Sequence, residues 1–306
     1  MNKISIIGAG RVGETTACII AQQEMCSEVV LLDIREGAAA GAALDISQSA
    51  SYFGFDTRVT GGNDPALLTD SELIVITAGS PRKPGMSRSD VLDINRAVID
   101  TLVDDVIKYA PDSLLLLVTN PVDVLTWRAW KRTGWERGRI FGQAGVLDAS
   151  RMATFMAEET GLSAKDIHAL VIGGHGDSMV PLTRFSTING APATAFLDAA
   201  AIERITDRTR HGGAEVLALR QISSAYNGPA AAIATMVDAI CYDRRRILPC
   251  VCNLDGEYGQ TDITAGVPAI LGRNGIEKVV ELPLDDTELS GFQASIDSVR
   301  ADIKLL

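Results

Sequence analysis

Short apolar runs alternate with helical patterns along the first half of the chain, and this alternation constrains the fold more than any other feature. The runs are rich in Ile, Val and Leu and lack the apolar–polar alternation of a strand with one solvated face. Such strands are buried on both faces, which predicts a doubly wound α/β fold with a parallel sheet covered by helices. The predicted strands are Lys3–Ile7, 28–33, 57–60, 73–77 and 114–119, and the clearest helices between them cover 11–24 and 92–109.

The order of elements changes after a short predicted strand near 139–142. We therefore place a domain boundary near residue 145, with the doubly wound domain over 1–145 and an α+β domain over 146–306. No linker or repeat separates the two parts, so we expect them to pack closely. In the second part we predict a helix from Asp148, strands near 167–172 and 184–188, long helices between 199 and 240, further strands, and a last helix from Asp285.

The composition excludes several classes of protein. An apolar fraction of 46% in 306 residues is enough for a packed core, which excludes intrinsic disorder. The net charge of −11 argues against a general binder of nucleic acid or of anionic membranes, because phosphate contacts need a basic surface. No apolar run reaches the ~18 residues of a membrane helix, and the first residues lack the pattern of a signal peptide.

The five cysteines are scattered along the chain and form no C-x-x-C pair. Reduced thiols in the core are the expected interpretation, rather than disulfides or a metal site. Together with the missing signal peptide, they predict a cytoplasmic protein.

A glycine-rich segment between the first strand and the first helix predicts a dinucleotide site. The segment Gly8-Ala9-Gly10-Arg11-Val12-Gly13 has the spacing G-x-G-x-x-G, which allows a tight turn, a close approach to a pyrophosphate and close packing of the helix. Asp33 follows Gly13 by twenty residues at the end of the second strand, where a carboxylate accepts hydrogen bonds from the adenosine ribose and favours NAD over NADP. Arg35 is a counter-signal, although we expect it to be a solvated surface charge.

His175 is the best candidate among three histidines for a proton donor and acceptor, because histidine titrates near neutral pH. It lies in the segment Gly173-Gly174-His175-Gly176-Asp177-Ser178 directly after a predicted strand, and its glycine neighbours leave room for a ligand. His168 at a strand entry is expected to be structural, and His211 in a polar stretch is expected to be solvated.

Two further groups of polar residues fit a site for an anionic substrate. Asp148 and Arg151 lie three residues apart on one face of a helix, which fits either a surface ion pair or a carboxylate that supports His175 beside an arginine that binds a substrate carboxylate. Arg82 and Arg88 lie in a loop rich in proline and glycine after the fourth strand, and we predict that it closes as a lid on the substrate. Asn120 ends the fifth strand, where its amide can bind a substrate oxygen or the nicotinamide ribose.

These residues together resemble the lactate/malate dehydrogenase superfamily, most closely the lactate-dehydrogenase-like malate dehydrogenases of prokaryotes. The resemblance extends over essentially the whole chain. It rests on the segments Gly8-Ala9-Gly10, Ile76-Thr77-Ala78-Gly79, Pro81-Arg82-Lys83-Pro84-Gly85-Met86-Ser87-Arg88, Thr119-Asn120-Pro121, Ala144-Gly145-Val146-Leu147-Asp148, Gly173-Gly174-His175-Gly176-Asp177 and Gly266-Val267-Pro268.

The resemblance implies a Rossmann NAD-binding domain, a catalytic domain, and reversible oxidation of (S)-malate to oxaloacetate in the tricarboxylic acid cycle. It implies an acid/base His175 paired with Asp148, an Arg151 that binds the carboxylate common to 2-hydroxy acids, and an Arg88 that polarises the carbonyl. Arg82 would bind the second carboxylate of a dicarboxylate, where lactate dehydrogenases have glutamine. The residues implied to contact NAD are Gly8, Ala9, Gly10, Arg11, Val12, Gly13, Asp33, Asn95, Val118, Thr119 and Asn120.

The resemblance also implies a homo-oligomer, with a tetramer favoured over a dimer, and no membrane or nucleic-acid partner. Two alternatives stay open: a lactate or other 2-hydroxy acid dehydrogenase, and, more remotely, a non-catalytic NAD-binding protein. The chain departs from the family pattern at Asn227-Gly228, near the expected substrate pocket, and at Gln143, where methionine is usual.

Overall fold

The computed structural model describes residues 1–80 and 88–306, with side chains except at residues 88 and 89. Strands and helices alternate along the first half, as predicted, and the strand bounds agree with the prediction to within two residues. The elements of this half are β1 (Lys3–Ile7), α1 (Arg11–Gln22), β2 (Glu28–Leu32), α2 (Ala38–Gln48), α3 (Ala50–Phe53), β3 (Arg58–Gly62), β4 (Leu73–Ile76), α4 (Arg88–Tyr109), β5 (Leu114–Leu117), α5 (Val122–Thr133) and β6 (Ile140–Gln143).

The six strands of this half form a parallel sheet in the order β3-β2-β1-β4-β5-β6. The central strands β4 and β5 are buried at every position, because helices cover both faces of the sheet. The chain order reverses between β1 and β4, and ligands of doubly wound sheets bind at the carboxyl ends of the strands beside such a reversal. The prediction of a doubly wound α/β fold is confirmed.

The second half combines helices with short antiparallel strands. Its first helix begins at Gly145, three residues before the predicted start, and the strand predicted over 184–188 shortens to two residues because a 3-10 turn occupies Thr183–Phe185. The elements are α6 (Gly145–Thr160), β7 (Ile167–His168), β8 (Val171–Ile172), β9 (Val180–Pro181), β10 (Thr187–Ile188), β11 (Ala191–Pro192), α7 (Ala199–Arg220), α8 (Asn227–Cys241), β12 (Arg246–Asp255), β13 (Thr261–Gly272), β14 (Gly275–Val279) and α9 (Asp286–Ile303).

The prediction of a purely parallel sheet implied that the main sheet ends at β6, but the sheet continues beyond this strand. β12 pairs antiparallel with β6, with Cys250 opposite Gln143, and β13 and β14 continue the sheet beyond it. The physical reason is burial. Residues 248–254 of β12 are all buried, so their backbone N–H and C=O groups need hydrogen-bond partners on both edges of the strand. Both predicted domains therefore contribute strands to one sheet.

Helix α8 packs against α1, so the apolar core is continuous between the two halves of the chain. A second, smaller cluster lies under α6 and α7. The cysteines carry free thiols, and all except Cys18 are buried. Across residues 1–80 and 88–306, the helices are too short or too polar to cross a bilayer.

Candidate active site

The turn after β1 is as tight as the glycine spacing predicts. Gly8 has φ of +110°, and a Cβ on it would lie 2.6 Å from the Ala78 backbone nitrogen. A Cβ on Gly13 would lie 1.9 Å from the Gly8 carbonyl oxygen, so only glycine lets α1 pack this closely on the turn. Gly10 caps α1 without a side-chain hydrogen bond, and a Cβ there would meet nothing within 4 Å. The backbone of Gly10 is thus open to a ligand beside the N–H groups that begin the helix.

Asp33 lies beside this turn and is held by two groups. Its Oδ2 accepts from the Ala9 backbone N–H at 2.9 Å, and both carboxylate oxygens accept from the Arg35 guanidinium at 3.1 and 3.2 Å. Burial alone would raise the pKa of Asp33, but the hydrogen bonds and charge of Arg35 outweigh it and lower the pKa. Arg35 is an exposed surface charge, as expected, and its side chain also forms a two-point ion pair with Asp33.

Arg11 and Val12 begin α1 next to the turn. Arg11 is exposed, its Nη1 donates to Ser223 Oγ at 3.4 Å, and its guanidinium lies 5.4 Å from the centre of the Tyr226 ring. Val12 is half-buried. The contacts of Arg11 connect the first helix to the loop between α7 and α8.

Asn95 joins the loops that follow β4 and β5. It is buried, its Oδ1 accepts from the Ser80 N–H at 2.7 Å, and its Nδ2 donates to the Asn120 carbonyl oxygen at 2.7 Å. Thr119 is also buried and donates to the Ala78 carbonyl oxygen at 2.7 Å. Asn120 is exposed at the carboxyl end of β5, as predicted, whereas contact of Asn95 with a cofactor stays a prediction.

His175 and Arg151 share the carboxylate of Asp148. The ring nitrogen Nδ1 of His175 is 2.8 Å from Asp148 Oδ2, and Arg151 Nη1 donates to Asp148 Oδ1 at 2.9 Å. The Asp148 side chain is 2% exposed, and those of His175 and Arg151 are 17% and 16% exposed. This geometry excludes the surface ion pair that the spacing of Asp148 and Arg151 left open.

The charge of Asp148 sets the protonation of His175. Burial of the imidazole disfavours its charged form and alone would lower the pKa, but the charge and hydrogen bond of Asp148 raise the pKa above its ordinary 6.5. A histidine with this pKa can both accept and return a proton near neutral pH.

Two consecutive glycines of α7 face the Arg151 side chain. A Cβ on Gly212 would lie 3.2 Å from Arg151 Cδ, and one on Gly213 would lie 3.4 Å from Nη2. Glycine inside a helix costs about 1 kcal/mol relative to alanine, so this pair fits a need for close approach. Asp148 and α7 therefore hold the guanidinium from two sides.

The remaining predicted residues fall into two groups. Arg82 lies outside the described residues, and so does the side chain of Arg88, although α4 begins at its backbone. His168 in β7 is exposed, and His211 in α7 is exposed with its Nδ1 2.9 Å from the Asp207 carbonyl oxygen.

The first departure from the family pattern, Asn227-Gly228, is exposed at the start of α8. A Cβ on Gly228 would lie 3.1 Å from Leu147 Cδ1, so this glycine lets the start of α8 approach α6 closely. Gln143 is buried in β6, and nothing in the structure explains why it replaces methionine.

Asp123 is a residue of the site that the sequence reasoning missed. It lies in the first turn of α5, three residues after Asn120, and its Oδ2 accepts from the His175 backbone N–H at 2.8 Å. It is 5% exposed. Its position just after the carboxyl end of β5 was the available signal, since side chains at that edge of the sheet converge on ligands.

Comparisons with known proteins agree with this geometry. Residues 2–142 match the family described as lactate/malate dehydrogenase, NAD binding domain, and residues 145–306 match lactate/malate dehydrogenase, alpha/beta C-terminal domain. The chain is 65% identical to the malate dehydrogenase of Thioalkalivibrio sulfidiphilus over 306 residues, which is 100% of both chains.

Two solved structures are similar to almost the whole chain. Malate dehydrogenase from Salinibacter ruber has a TM-score of 0.95 at 42% identity, with 99% of this chain and 97% of that chain covered. Lactate dehydrogenase from Cryptosporidium parvum, complexed with lactic acid and nicotinamide adenine dinucleotide, has a TM-score of 0.95 at 37% identity with the same coverage. The backbone thus resembles enzymes for either substrate equally well.

Proposed function

This chain belongs to the lactate/malate dehydrogenase family, and on that premise we propose that it is an NAD-dependent malate dehydrogenase that interconverts (S)-malate and oxaloacetate. The name of its relative from Thioalkalivibrio sulfidiphilus supports malate as the substrate. The observation that carries the proposal is the buried Asp148 carboxylate shared by His175 and Arg151.

His175 is the proton carrier of the proposed reaction. Oxidation of malate removes a hydride from C2 and a proton from the hydroxyl group of the same carbon. The contact with Asp148 occupies Nδ1, which leaves Nε2 of the imidazole to accept that proton. In the reverse direction the imidazolium returns it to the carbonyl oxygen of oxaloacetate, and the charge of Asp148 stabilises the protonated ring.

The residues of the turn after β1 fit a dinucleotide. The open space at Gly10, the N–H groups at the start of α1 and the Asp33 carboxylate match the pyrophosphate and the ribose hydroxyls of NAD. When bound, NAD supplies the hydride acceptor.

Arg151 is the proposed partner of the carboxylate that every 2-hydroxy acid carries, because a guanidinium can form two parallel hydrogen bonds to it. Its contacts with Asp148 and α7 hold the guanidinium in place before substrate binds. On the family resemblance, Arg88 is assigned to polarise the carbonyl oxygen of the substrate. Asn120 is assigned, on the same basis, to contact both the substrate and the cofactor.

Arg82 is proposed to select a dicarboxylate. Pyruvate offers it no second carboxylate, so a partly desolvated cation stays unpaired in the closed site. That should cost on the order of 2–5 kcal/mol relative to oxaloacetate. At ~1.4 kcal/mol per tenfold, the preference is tens-fold to thousands-fold. The competing lactate dehydrogenase assignment predicts the opposite preference.

Steady-state kinetics with oxaloacetate and pyruvate, each with NADH and NADPH, test the proposal. We expect oxaloacetate with NADH to have the highest kcat/KM, and Arg82→Gln to narrow the gap between the two substrates. A pyruvate value equal to or above that of oxaloacetate would reject the substrate assignment. His175→Asn should remove most turnover but leave NADH binding intact, and a variant that retains turnover would reject the acid/base assignment.

The proposal also covers the domains of the protein, its location in the cell and its oligomeric state. Residues 1–145 form the NAD-binding domain and residues 146–306 the catalytic domain. The protein acts in the cytoplasm, in the tricarboxylic acid cycle, as a homo-oligomer, a tetramer in preference to a dimer. Large apolar side chains on α2 and α3 support an interface between copies, since Tyr52 is 90% exposed and Leu44 and Phe53 are each 61% exposed. Light scattering of the purified protein would give the number of subunits.

A further inference from the structure

We propose that Asp123 is a positioning residue for proton transfer at His175, and that its negative charge, together with that of Asp148, helps the imidazole to hold a proton. The inference rests on the acid/base role of His175 proposed above. Asp123 itself acts through His175.

Asp123 connects three elements around the candidate site. Its Oδ2 accepts from the His175 backbone N–H at 2.8 Å, which fixes the loop after β8 to the start of α5. The Thr264 hydroxyl of β13 donates to the Asp123 carbonyl oxygen at 2.7 Å, which fixes the start of α5 to the sheet. His175 is therefore held at two points. Asp148 holds its imidazole ring, and Asp123 holds its backbone N–H.

The second carboxylate oxygen of Asp123 shows that its hydrogen bond to His175 does not by itself explain why this buried residue carries a negative charge. Asp123 Oδ1 is buried and has no hydrogen-bond partner among the described residues. A neutral amide oxygen would accept the His175 N–H equally well, whereas a buried carboxylate with one donor is costly unless a positive group compensates it. The N-terminal turn of α5 favours negative charge, and the imidazolium of His175 supplies a full positive charge nearby.

The charges around His175 favour its protonated form more strongly when Asp123 is ionised. With Asp148, Asp123 and Arg151 charged, the cluster is net negative with a neutral imidazole and becomes neutral when the imidazole is protonated. Without the charge of Asp123, the same proton would leave the cluster net positive. Asp123 therefore tips the balance toward the imidazolium.

The charged groups of α5 that form ion pairs have partners away from His175. Among the described residues, the charges that act on the Asp123 carboxylate are those of His175 and Asp148. Burial raises the pKa of Asp123 to about 6, against the lowering effect of the His175 N–H and imidazole charge, so the carboxylate is ionised at neutral pH. In the described part of the chain, the ion pairs of this helix are Arg128–Asp100, Arg132–Asp100, Arg132–Asp104 and Lys131–Asp262, and Arg300 of α9 contacts Gln260.

The direct test is the titration of His175 in the full-length Asp123→Asn variant. The chain has three histidines, so NMR can follow each ring, with the His175 signal assigned by its loss in His175→Asn. We expect the midpoint of His175 to fall by roughly one pH unit, at the low end of the effect of a nearby opposite charge. The acid limb of malate oxidation, which needs neutral imidazole, should move to lower pH with it.

Asp100→Asn is the matched control, since it removes a carboxylate that contacts α5 through Arg128 instead of facing the site. Its His175 midpoint should equal that of the parent. An unchanged midpoint in Asp123→Asn, or an equal shift in both variants, would overturn the inference. If Asp123→Asn fails to fold, Asp123→Ser provides the same comparison. Because the titration is measured without substrate, it can fail independently of the acid/base assignment, which His175→Asn turnover decides.

Discussion

Replacing either of two glycines of the same turn by alanine should impair a different property of the protein, because one glycine faces the protein and the other faces the expected cofactor. Gly13 supports the contact between α1 and the turn after β1, and Gly10 borders open space at the start of α1. We expect Gly13→Ala to lose stability and Gly10→Ala to lose affinity for NADH. The two variants therefore distinguish a packing effect from a ligand-binding effect within a segment of four residues.

The distances set the size of the Gly13→Ala effect. Its Cβ would lie 1.9 Å from the Gly8 carbonyl oxygen, and real Cβ contacts essentially never fall below 3.0 Å, so the two groups must separate by about 1.1 Å. Overpacking of this kind costs about 1–3 kcal/mol, which corresponds to a fall in Tm of roughly 2–6 °C for a chain of this size. The buried side of α1 that moves with Gly13 consists of Thr16, Ala17, Ile20 and Ala21.

Gly10→Ala should leave the fold nearly unchanged. Its φ of −85° suits alanine, and replacing this helix cap should cost under about 1 kcal/mol. The added methyl group lies where the pyrophosphate is expected to approach, so NADH affinity should fall by about tenfold or more, ~1.4 kcal/mol. Thermal unfolding without cofactor and fluorescence titration with NADH measure the two effects. A Gly10→Ala protein that binds NADH like the parent, or a Gly13→Ala protein of parental Tm, would refute the reasoning.

Three further predictions concern the charged residues. Since the pKa of His175 is raised, kcat/KM for malate oxidation should rise with pH through a midpoint above 6.5, and a lower midpoint would contradict the assignment. Asp148→Asn should lower that midpoint and reduce kcat/KM by about a hundredfold or more, whereas an unshifted pH profile would count against it. Asp33→Ser should release Arg35 and raise the NADPH-to-NADH ratio of kcat/KM by about tenfold; a ratio equal to that of the parent would show that Asp33 does not select the cofactor.

The sequence predicts most of the fold where local pattern and burial coincide. β4 and β5 are apolar at every position and therefore on both faces, and this property is visible in the residues themselves. The pairing of β12 with β6 has no local signature, because the two strands are far apart in the chain and either could have ended a sheet. The early start of α6 was missed because Gly145, a poor helix former, is required by the nearby Pro249 and Val171 backbone.

The candidate site shows the same limit. The proximity of His175 and Asp148 was expected from the family resemblance, and the structure gives their distance and burial. The ion pair between Arg35 and Asp33 depends on a side-chain conformation that spacing cannot specify. Asp123 was missed because its contact is with a backbone N–H, which leaves no complementary residue type to find in the sequence.

The antiparallel addition of β12 to β6 has a consequence for biosynthesis. Gln143 and its partner Cys250 are 107 residues apart, so at ribosomal rates β6 is complete about 5–20 s before its neighbour is made. During that interval the nascent parallel sheet has an unpaired apolar edge, which is a template for association with other chains. Chaperone capture is therefore expected to matter most midway through translation, and a gene fragment that ends near residue 145 should yield aggregates.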